Sequence, residues 1–182
     1  MLTAYIGMGA NLASASGPPE VTLVEAAKQL SSLGRVLKRS SLYSTEPVGY
    51  AEQPRFLNAV VALQTELAPR ALLMGLLDLE LAFGRDRSAG IANGPRTLDL
   101  DILLMGDLCL YEAGLEIPHP RLAERAFALI PLQEIAPDLV DPRHRKSVTE
   151  LLHRLVEHRK GEEHGVVRFQ SDLWEAGGVV SQ

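Results

Sequence analysis

The spacing of apolar residues changes along the chain and predicts an alternation of strands and helices. A period of two or a short apolar run marks strands, and a period of three to four marks helices. Gly34 and Gly84 follow the two predicted helices, and Pro69 opens the second, as is common at helix ends. The predicted strands cover 2–8, 35–45, 56–67 and 98–105, and the predicted helices cover 20–33 and 69–83.

Further elements are predicted toward the C-terminus. Gly106-Asp107 predicts a hairpin turn into a strand at 108–111. Short helices are predicted around 120–129, 130–135 and 146–158. Two steps from strand to strand without an intervening helix disfavour an all-parallel sheet. We therefore expect an α+β fold, a ferredoxin-like antiparallel sheet with helices on one face and extra C-terminal helices.

Composition narrows the class of protein. The chain has 182 residues, 46% of them hydrophobic, and a net charge of −5, which gives no sign of nucleic-acid binding. No apolar run approaches the ~18 residues of a membrane helix, and the N-terminus lacks the features of a secretory signal. Cys109 is the single cysteine, so it is expected to be a small core residue. We expect a cytoplasmic protein with no membrane or nucleic-acid partner.

Two acids stand in the predicted strand at 98–105. Asp99 and Asp101 share a strand face, with Cα atoms roughly 6–7 Å apart, and Leu103 and Met105 are expected to continue that face. Like charges this close require a cation or a shifted pKa. Two carboxylates together with phosphate oxygens commonly hold Mg²⁺. The alternative is a half-exposed strand with solvated acids.

The neighbouring loop, residues 84–97, carries three arginines: Arg85, Arg87 and Arg96. Arginines beside an acid pair are typical of a polyphosphate site. Glu80 continues an apolar helical stripe just before this loop, near a helix C-terminus that disfavours its charge. It therefore needs a partner, either one of these arginines or water.

Four other residues are candidates for ligand binding. Asn58 shares a strand face with Phe56, and its amide could pair with the edge of a heterocycle or with a loop backbone. In IPHPRLAERAFAL, His119 and Arg125 could contact an anion, and Phe127 could stack on a flat ligand. A lone histidine is more often structural. The other histidines lack metal-ligand spacing and are expected at the surface: His144, His153, His158 and His164.

Several collinear stretches closely resemble 6-hydroxymethyl-7,8-dihydropterin pyrophosphokinases of folate biosynthesis. They are AYIGMGANL, QPRFLNAVVAL, FGRDR, GPRTLDLDIL and IPHPRLAERAFALIPLQEIAP. The resemblance implies a ferredoxin-like monomer that moves the β,γ-pyrophosphate of ATP onto the pterin hydroxymethyl oxygen and releases AMP. It runs from about Ala4 to Leu155, so we expect one pyrophosphokinase domain over 1–160 and a tail, 161–182, with no predicted role.

The resemblance also implies a role for each candidate. Asp99 and Asp101 would hold two Mg²⁺ ions, with ATP as co-substrate. The catalytic set would be these acids together with Arg85, Arg87 and Arg96. Pterin would be bound by Thr45, Val48, Phe56, Asn58 and Phe127. ATP would be bound by Glu80, Arg87, Arg96, His119 and Arg125.

The chain departs from the family pattern in the loop. Ala92 stands at a position that is usually basic, Asn93 replaces a frequent tryptophan, and Pro120 replaces an aromatic residue after His119. This leaves a second hypothesis, a nucleotide-sensing protein on the same fold that has lost catalysis. A third, an RNA-binding ferredoxin-like module, is disfavoured by the acidic balance and by the acid pair.

Overall fold

A computed structural model describes residues 1–47, 52–85, 94–158 and 165–177. Within these residues the main sheet has six strands and every pairing in it is antiparallel. Its strands are β1 (Leu2–Ala10), β2 (Arg35–Arg39), β3 (Leu42–Thr45), β4 (Phe56–Thr65), β5 (Asp99–Met105) and β10 (Val166–Phe169). They lie in the order β10-β3-β4-β1-β5, and β2 also pairs with β4.

In the described part of the chain, the remaining elements are two small hairpins, five α-helices and two short 3-10 turns. One hairpin joins β6 (Leu110–Glu112) to β7 (Leu115–Ile117), and the other joins β8 (Val140–Asp141) to β9 (Lys146–Ser147). The helices of the described residues are α1 (Pro19–Gln29), α2 (Pro69–Ala82), α3 (Ala126–Ile135), α4 (Val148–His158) and α5 (Asp172–Ala176). None of the helices in the described part of the chain is long and apolar enough to cross a membrane.

The sheet separates two hydrophobic cores. α1 and α2 cover one face, where Ile6 and Val61 are fully buried. The extra helices α3 and α4 cover the opposite face, against Val60 and Ala62. The mixed α+β architecture and the antiparallel sheet were predicted correctly. So was the alternation along β4, because neighbouring residues of a strand face opposite sides of a sheet.

A bulge in β5 changes the predicted alternation. Ile102 pairs with Ile6 and Leu104 pairs with Tyr5, so Leu103 has no partner on β1. An extra residue of this kind reverses the side chains that follow it. Leu103 packs beneath α3, as Asp99 and Asp101 lead one to expect, but Met105 packs in the core on the α1 side. The prediction that Met105 shares the face of the aspartates was therefore wrong.

Four other local predictions were wrong. The strand predicted at 35–45 is interrupted at Ser40, whose hydroxyl accepts the Val60 N–H. The turn at Gly106-Asp107 does not lead to a partner for β5, since β6 pairs with β7. The two helices predicted over 120–135 are a short 3-10 turn followed by one helix, α3, which continues through Pro131. Cys109, expected in the core, is exposed.

Candidate active site

A cavity of about 170 Å³ opens on the α3 side of the sheet. Five strands contribute to its wall, together with the start of α3 and the turn before it. Eight of the residues singled out from the sequence line it: Thr45, Phe56, Asn58, Arg96, Asp99, Asp101, Arg125 and Phe127. Arg87 and Val48 lie outside the described residues, as do Ala92 and Asn93.

Asp99 and Asp101 lie side by side at the start of β5, opposite Gly9 and Gly7 of β1. Asp99 is clamped by two arginines. One carboxylate oxygen accepts a hydrogen bond from Arg85, and the other accepts from Arg96 Nη1 at 2.9 Å. The Asp99 side chain keeps 24% of its surface exposed, so it faces the cavity while its charge is balanced.

Glu80 lies behind Asp99 and is almost completely buried, with 1% exposure. Its Oε1 accepts the Leu100 N–H at 2.8 Å and contacts Arg85 Nη1 at 3.1 Å. Arg85 in turn donates to the Leu98 carbonyl at 3.0 Å. Glu80 and Arg85 thus form a layer beneath the acid pair, and neither is among the described residues that line the cavity.

The two aspartates have opposite electrostatic environments. Burial would raise the pKa of Asp99, but Arg85 and Arg96 outweigh it and hold that pKa below its usual value. Burial, followed by the charge of Asp99, raises the pKa of Asp101 to about 6, while Arg125 opposes the rise. Asp101 is therefore less well compensated by its protein neighbours than Asp99, so it is the carboxylate of the pair that gains more from a cation brought to the site.

His119 and Arg125 face Asp101 from the turn before α3. Arg125 Nη1 lies 3.3 Å from Asp101 Oδ2, and His119 Nε2 lies 3.9 Å from the same oxygen. Burial and the neighbouring Arg125 lower the pKa of His119 to about 4, so the ring is neutral near neutral pH. The Arg121 N–H lies 3.1 Å from His119 Nδ1, and Arg125 Nη1 lies 3.2 Å from His119 Nε2, so both ring nitrogens contact donors. Arg125 is therefore the cation that faces Asp101 here, with the neutral ring beside it.

The end of the cavity away from the acid pair has side chains suited to binding a flat molecule. Asn58 Nδ2 donates to Thr45 Oγ1 at 2.6 Å, and both residues are buried. Phe56 and Phe127 also line this end. A fixed amide in a cavity that two aromatic rings also line can pair with the edge of a heterocycle, while the rings offer apolar surface for its faces.

Two residues that shape the site were missed from the sequence. A Cβ at Gly9 would lie 2.8 Å from Asn58 Oδ1, so only glycine at this position leaves room for the Asn58 amide. Asn11 is buried, and its Oδ1 accepts the Arg96 N–H at 2.8 Å while its Nδ2 donates to the Pro54 carbonyl at 3.0 Å. The signal was present as GMGAN, a glycine-rich end of an apolar strand followed by an amide.

The acid pair offers the carboxylate oxygens that Mg²⁺ takes as ligands. Mg²⁺ is commonly held by one or two carboxylates and completed by water and phosphate oxygens. Among the described residues, no group of three or more histidine, cysteine, aspartate or glutamate side chains converges, so the donor set does not resemble a structural zinc site.

Comparison with known proteins gives consistent results. Residues 5–137 match the model of the 7,8-dihydro-6-hydroxymethylpterin-pyrophosphokinase family. The 2-amino-4-hydroxy-6-hydroxymethyldihydropteridine pyrophosphokinase of Pseudomonas aeruginosa is 45% identical over 142 residues, which are 77% of this chain and 85% of that protein. The Haemophilus influenzae protein of the same name is 40% identical over 161 residues, 87% of this chain and 96% of that protein.

A solved structure shows a similar fold. The crystal structure of a Plasmodium falciparum HPPK-DHPS triple mutant with SDX-DHP superposes with a TM-score of 0.73 at 15% identity. The match covers 92% of this chain and 47% of that one, so this chain spans about half of its length. The family match covers most of the chain, and it includes the acid pair, the Asn58 amide and the turn before α3. The chain therefore belongs to the 7,8-dihydro-6-hydroxymethylpterin-pyrophosphokinase family, whose members are enzymes of folate biosynthesis.

Proposed function

We propose that this chain transfers the β,γ-pyrophosphoryl group of ATP to the hydroxymethyl group of 6-hydroxymethyl-7,8-dihydropterin, giving AMP and the pterin diphosphate. One observation carries the proposal. A single cavity joins an amide and two aromatic rings at one end to an acid pair and arginines at the other. A pterin alcohol and a triphosphate need these two environments side by side.

The pterin is assigned to the end formed by Asn58, Thr45, Phe56 and Phe127. The 2.6 Å bond from Asn58 to Thr45 fixes the amide, so its remaining hydrogen-bonding capacity can meet the pterin edge without a loss of side-chain entropy. Phe127 is positioned by the first turn of α3, where its ring lies near the guanidinium of Arg125. Val48 belongs to the same assignment, although it lies outside the described residues.

The triphosphate is assigned to the end formed by Asp99, Asp101, Arg96, Arg125 and His119. Bound to the two aspartates, Mg²⁺ would neutralise charge on the triphosphate and draw electron density from the phosphorus under attack. Arg96 and Arg125 already point at the acid pair, so each can turn to a phosphate oxygen with little reorganisation. His119 lies beside Arg125 as a neutral ring, with 3.2 Å between His119 Nε2 and Arg125 Nη1.

The transfer itself needs positioning rather than a protein nucleophile. The pterin hydroxymethyl oxygen attacks the β-phosphorus as the bond to the oxygen bridging the α- and β-phosphates breaks. The hydroxyl proton is released to solvent, and AMP leaves. In-line displacement of this type depends on alignment and on charge stabilisation. Glu80 and Arg85 hold Asp99 from beneath, and Arg87 is assigned to the same phosphate-facing group of arginines from outside the described residues.

The order of elements supports a ferredoxin-like assignment for this fold. The chain runs β1-α1-(β2, β3)-β4-α2-β5, and the sheet places β1 and β4 at its centre. We treat residues 1–160 as the pyrophosphokinase domain. We propose a monomer as the active form.

The test is to identify the nucleotide product. The protein is incubated with ATP, Mg²⁺ and the pterin alcohol, and the products are separated by chromatography. AMP together with pterin diphosphate supports pyrophosphoryl transfer. ADP would replace the proposal with an ordinary kinase. Binding of both ligands without turnover would favour the nucleotide-sensing protein. Asp101→Ala serves as a matched control that should lose turnover and retain pterin binding.

A further inference from the structure

The described part of the C-terminal segment, residues 165–177, forms a strap across the edge of the sheet. It consists of β10, the linking Gln170 and Ser171, and α5. It lies beyond residues 5–137, the range that matches the family model. The strap pairs with β3 and packs against α1, so it connects the edge of the sheet to the layer of helices behind it.

The far end of the strap is anchored by Trp174. Its side chain is 3% exposed, and its indole N–H donates to the Ser40 carbonyl at 2.7 Å. The Arg39 guanidinium lies 4.4 Å from the ring centroid, a distance that favours a cation–π contact. Ser171 caps α5 by accepting the Trp174 N–H, and its hydroxyl also bonds Glu20 of α1.

The near end of the strap is held against the cavity. The carbonyl of Gly165 accepts from Arg55 Nη2 at 2.7 Å and from the Glu46 N–H at 3.3 Å. Arg55 also donates to the Ser44 carbonyl. These hydrogen bonds fix the position of the next residue, Val166, in the wall of the cavity.

Val166 is paired with Thr45, and its side chain reaches the cavity. Residues directly opposite each other on neighbouring strands share one face of the sheet. Thr45 is the residue that holds the amide of Asn58, so Val166 lies beside the pair assigned to the pterin edge. Val166 is half-buried and lines the cavity with Glu46, whereas Val167 points the other way and is 61% exposed.

We propose that Val166 is a specificity-determining residue of the heterocycle end of the site, and that the strap positions it there. The inference rests on the proposed function. A β-branched side chain has few rotamers, so it forms a firm wall at the Thr45 side of the cavity. That wall limits the width of the heterocycle that can pair with Asn58, and it keeps water from the Asn58–Thr45 bond.

The experiment compares substitutions at two neighbouring residues of β10. Val166→Phe extends into the cavity, and Val167→Phe is the matched control on the exposed face. The probes are the pterin alcohol and an analogue with one additional ring methyl group. Val166→Phe should raise the KM for the pterin alcohol by about tenfold or more, as expected for excess volume in an apolar pocket. The KM for ATP should stay within about twofold in both variants.

Val166→Ala tests the same wall without adding volume and with little risk to folding. It should reduce the discrimination against the methylated analogue, measured as a ratio of kcat/KM values, by about fivefold or more. Melting temperatures of the variants establish that each is folded. Unchanged pterin KM in Val166→Phe together with unchanged discrimination in Val166→Ala would overturn the inference.

Asn58→Ala separates this inference from the proposed function. If it raises the pterin KM while both Val166 variants behave like wild type, the role of Val166 fails and the assignment of the site stands. If neither Asn58→Ala nor the Val166 variants change the pterin KM, the heterocycle end has been assigned wrongly and the role of Val166 fails with it. The proposed function fails separately, if the wild-type protein forms no AMP.

Discussion

Gly9 of β1 lies directly opposite Asn58 of β4, and a Cβ at residue 9 would be 2.8 Å from Asn58 Oδ1. The absent side chain leaves room for the amide, and the amide holds Thr45. A contact as short as 2.8 Å cannot be accommodated unless the amide moves. The geometry of the heterocycle end therefore depends on a residue that contributes no side chain to it.

A double-mutant cycle tests this dependence. Gly9→Ala should raise the KM for the pterin alcohol about tenfold, because displacing a fixed amide loses roughly 1–1.5 kcal/mol of hydrogen bonding. Asn58→Ala should raise the same KM and leave ATP affinity near wild type. In the Asn58→Ala background, Gly9→Ala should cost little more, since the clash is gone. Additive effects of the two substitutions would show that residue 9 acts by another route.

Arg96 should matter more for the chemical step than for ATP capture. Arg96 is held toward Asp99 before any ligand is bound. Its stabilising interaction with the transferring phosphoryl group therefore strengthens as negative charge develops on that group. Arg96→Ala should slow single turnover by about 100-fold or more, roughly 2.7 kcal/mol, with a much smaller change in ATP affinity. Rapid-quench kinetics and equilibrium ATP titration measure the two effects.

Asn11→Ala is a milder version of the same perturbation. It removes the bond to the Arg96 N–H but keeps the guanidinium. Single turnover should slow by about tenfold, with ATP affinity unchanged, because only the positioning of Arg96 is affected. A loss confined to ATP affinity in either variant would contradict this assignment.

The protonation of Asp101 should be visible in the stability of the metal-free protein. The pKa of Asp101 is raised to about 6 by burial and then by Asp99, so the ionised form opposes folding. This contribution should reduce stability as pH rises from about 4 to about 6, and the reduction should be complete above that range. Asp101→Asn should therefore be more stable than wild type by about 1 kcal/mol near pH 8, a figure already reduced for solvent screening.

Thermal melts with a chelator present measure the effect of Asp101→Asn across this range. The advantage of the variant should shrink as the pH falls toward about 4, and it should be smallest below that pH, where wild type is protonated in both states. An advantage that is constant with pH would mean that Asp101 is not the titrating group.

Glu80→Gln should affect stability more than ATP affinity. Glu80 is buried and contacts Arg85 and the Leu100 N–H beneath the cavity. Glutamine keeps an acceptor for Leu100 but removes the charge opposite Arg85, at a cost of about 2 kcal/mol. Urea unfolding and ATP titration of the same variant separate the two effects. A large loss of ATP affinity at wild-type stability would place Glu80 in contact with the nucleotide.

The sequence predicted most of what depends on local periodicity. The alternation along β4 correctly placed Phe56 and Asn58 on one face, because a strand has only two faces. The spacing of Asp99 and Asp101 correctly placed both carboxylates together. The need of Glu80 for a partner was also correct, since a buried charge must be paired.

Features that depend on tertiary contacts were not predictable in this way. β5 is apolar on both faces beyond Asp101, so no change of period marks the bulge at Leu103. The sequence of the strap has weak periodicity. The one feature in it that indicates packing is Trp174, the only tryptophan of the chain. A large aromatic side chain in a polar segment indicates packing, but it does not tell which surface it packs against.

The ion pairs around the acid pair also bear on the order in which ligands arrive. Within the described residues this network has three carboxylates, Glu80, Asp99 and Asp101, and three arginines, Arg85, Arg96 and Arg125. Its formal charges cancel, so a bare divalent ion approaching from solution meets little net attraction. A nucleotide that carries its own metal brings phosphate oxygens, to which the arginines can turn. Its metal can then bind the carboxylates that the arginines release. The resting site is thus arranged to exchange partners with the metal–nucleotide complex rather than to store the metal.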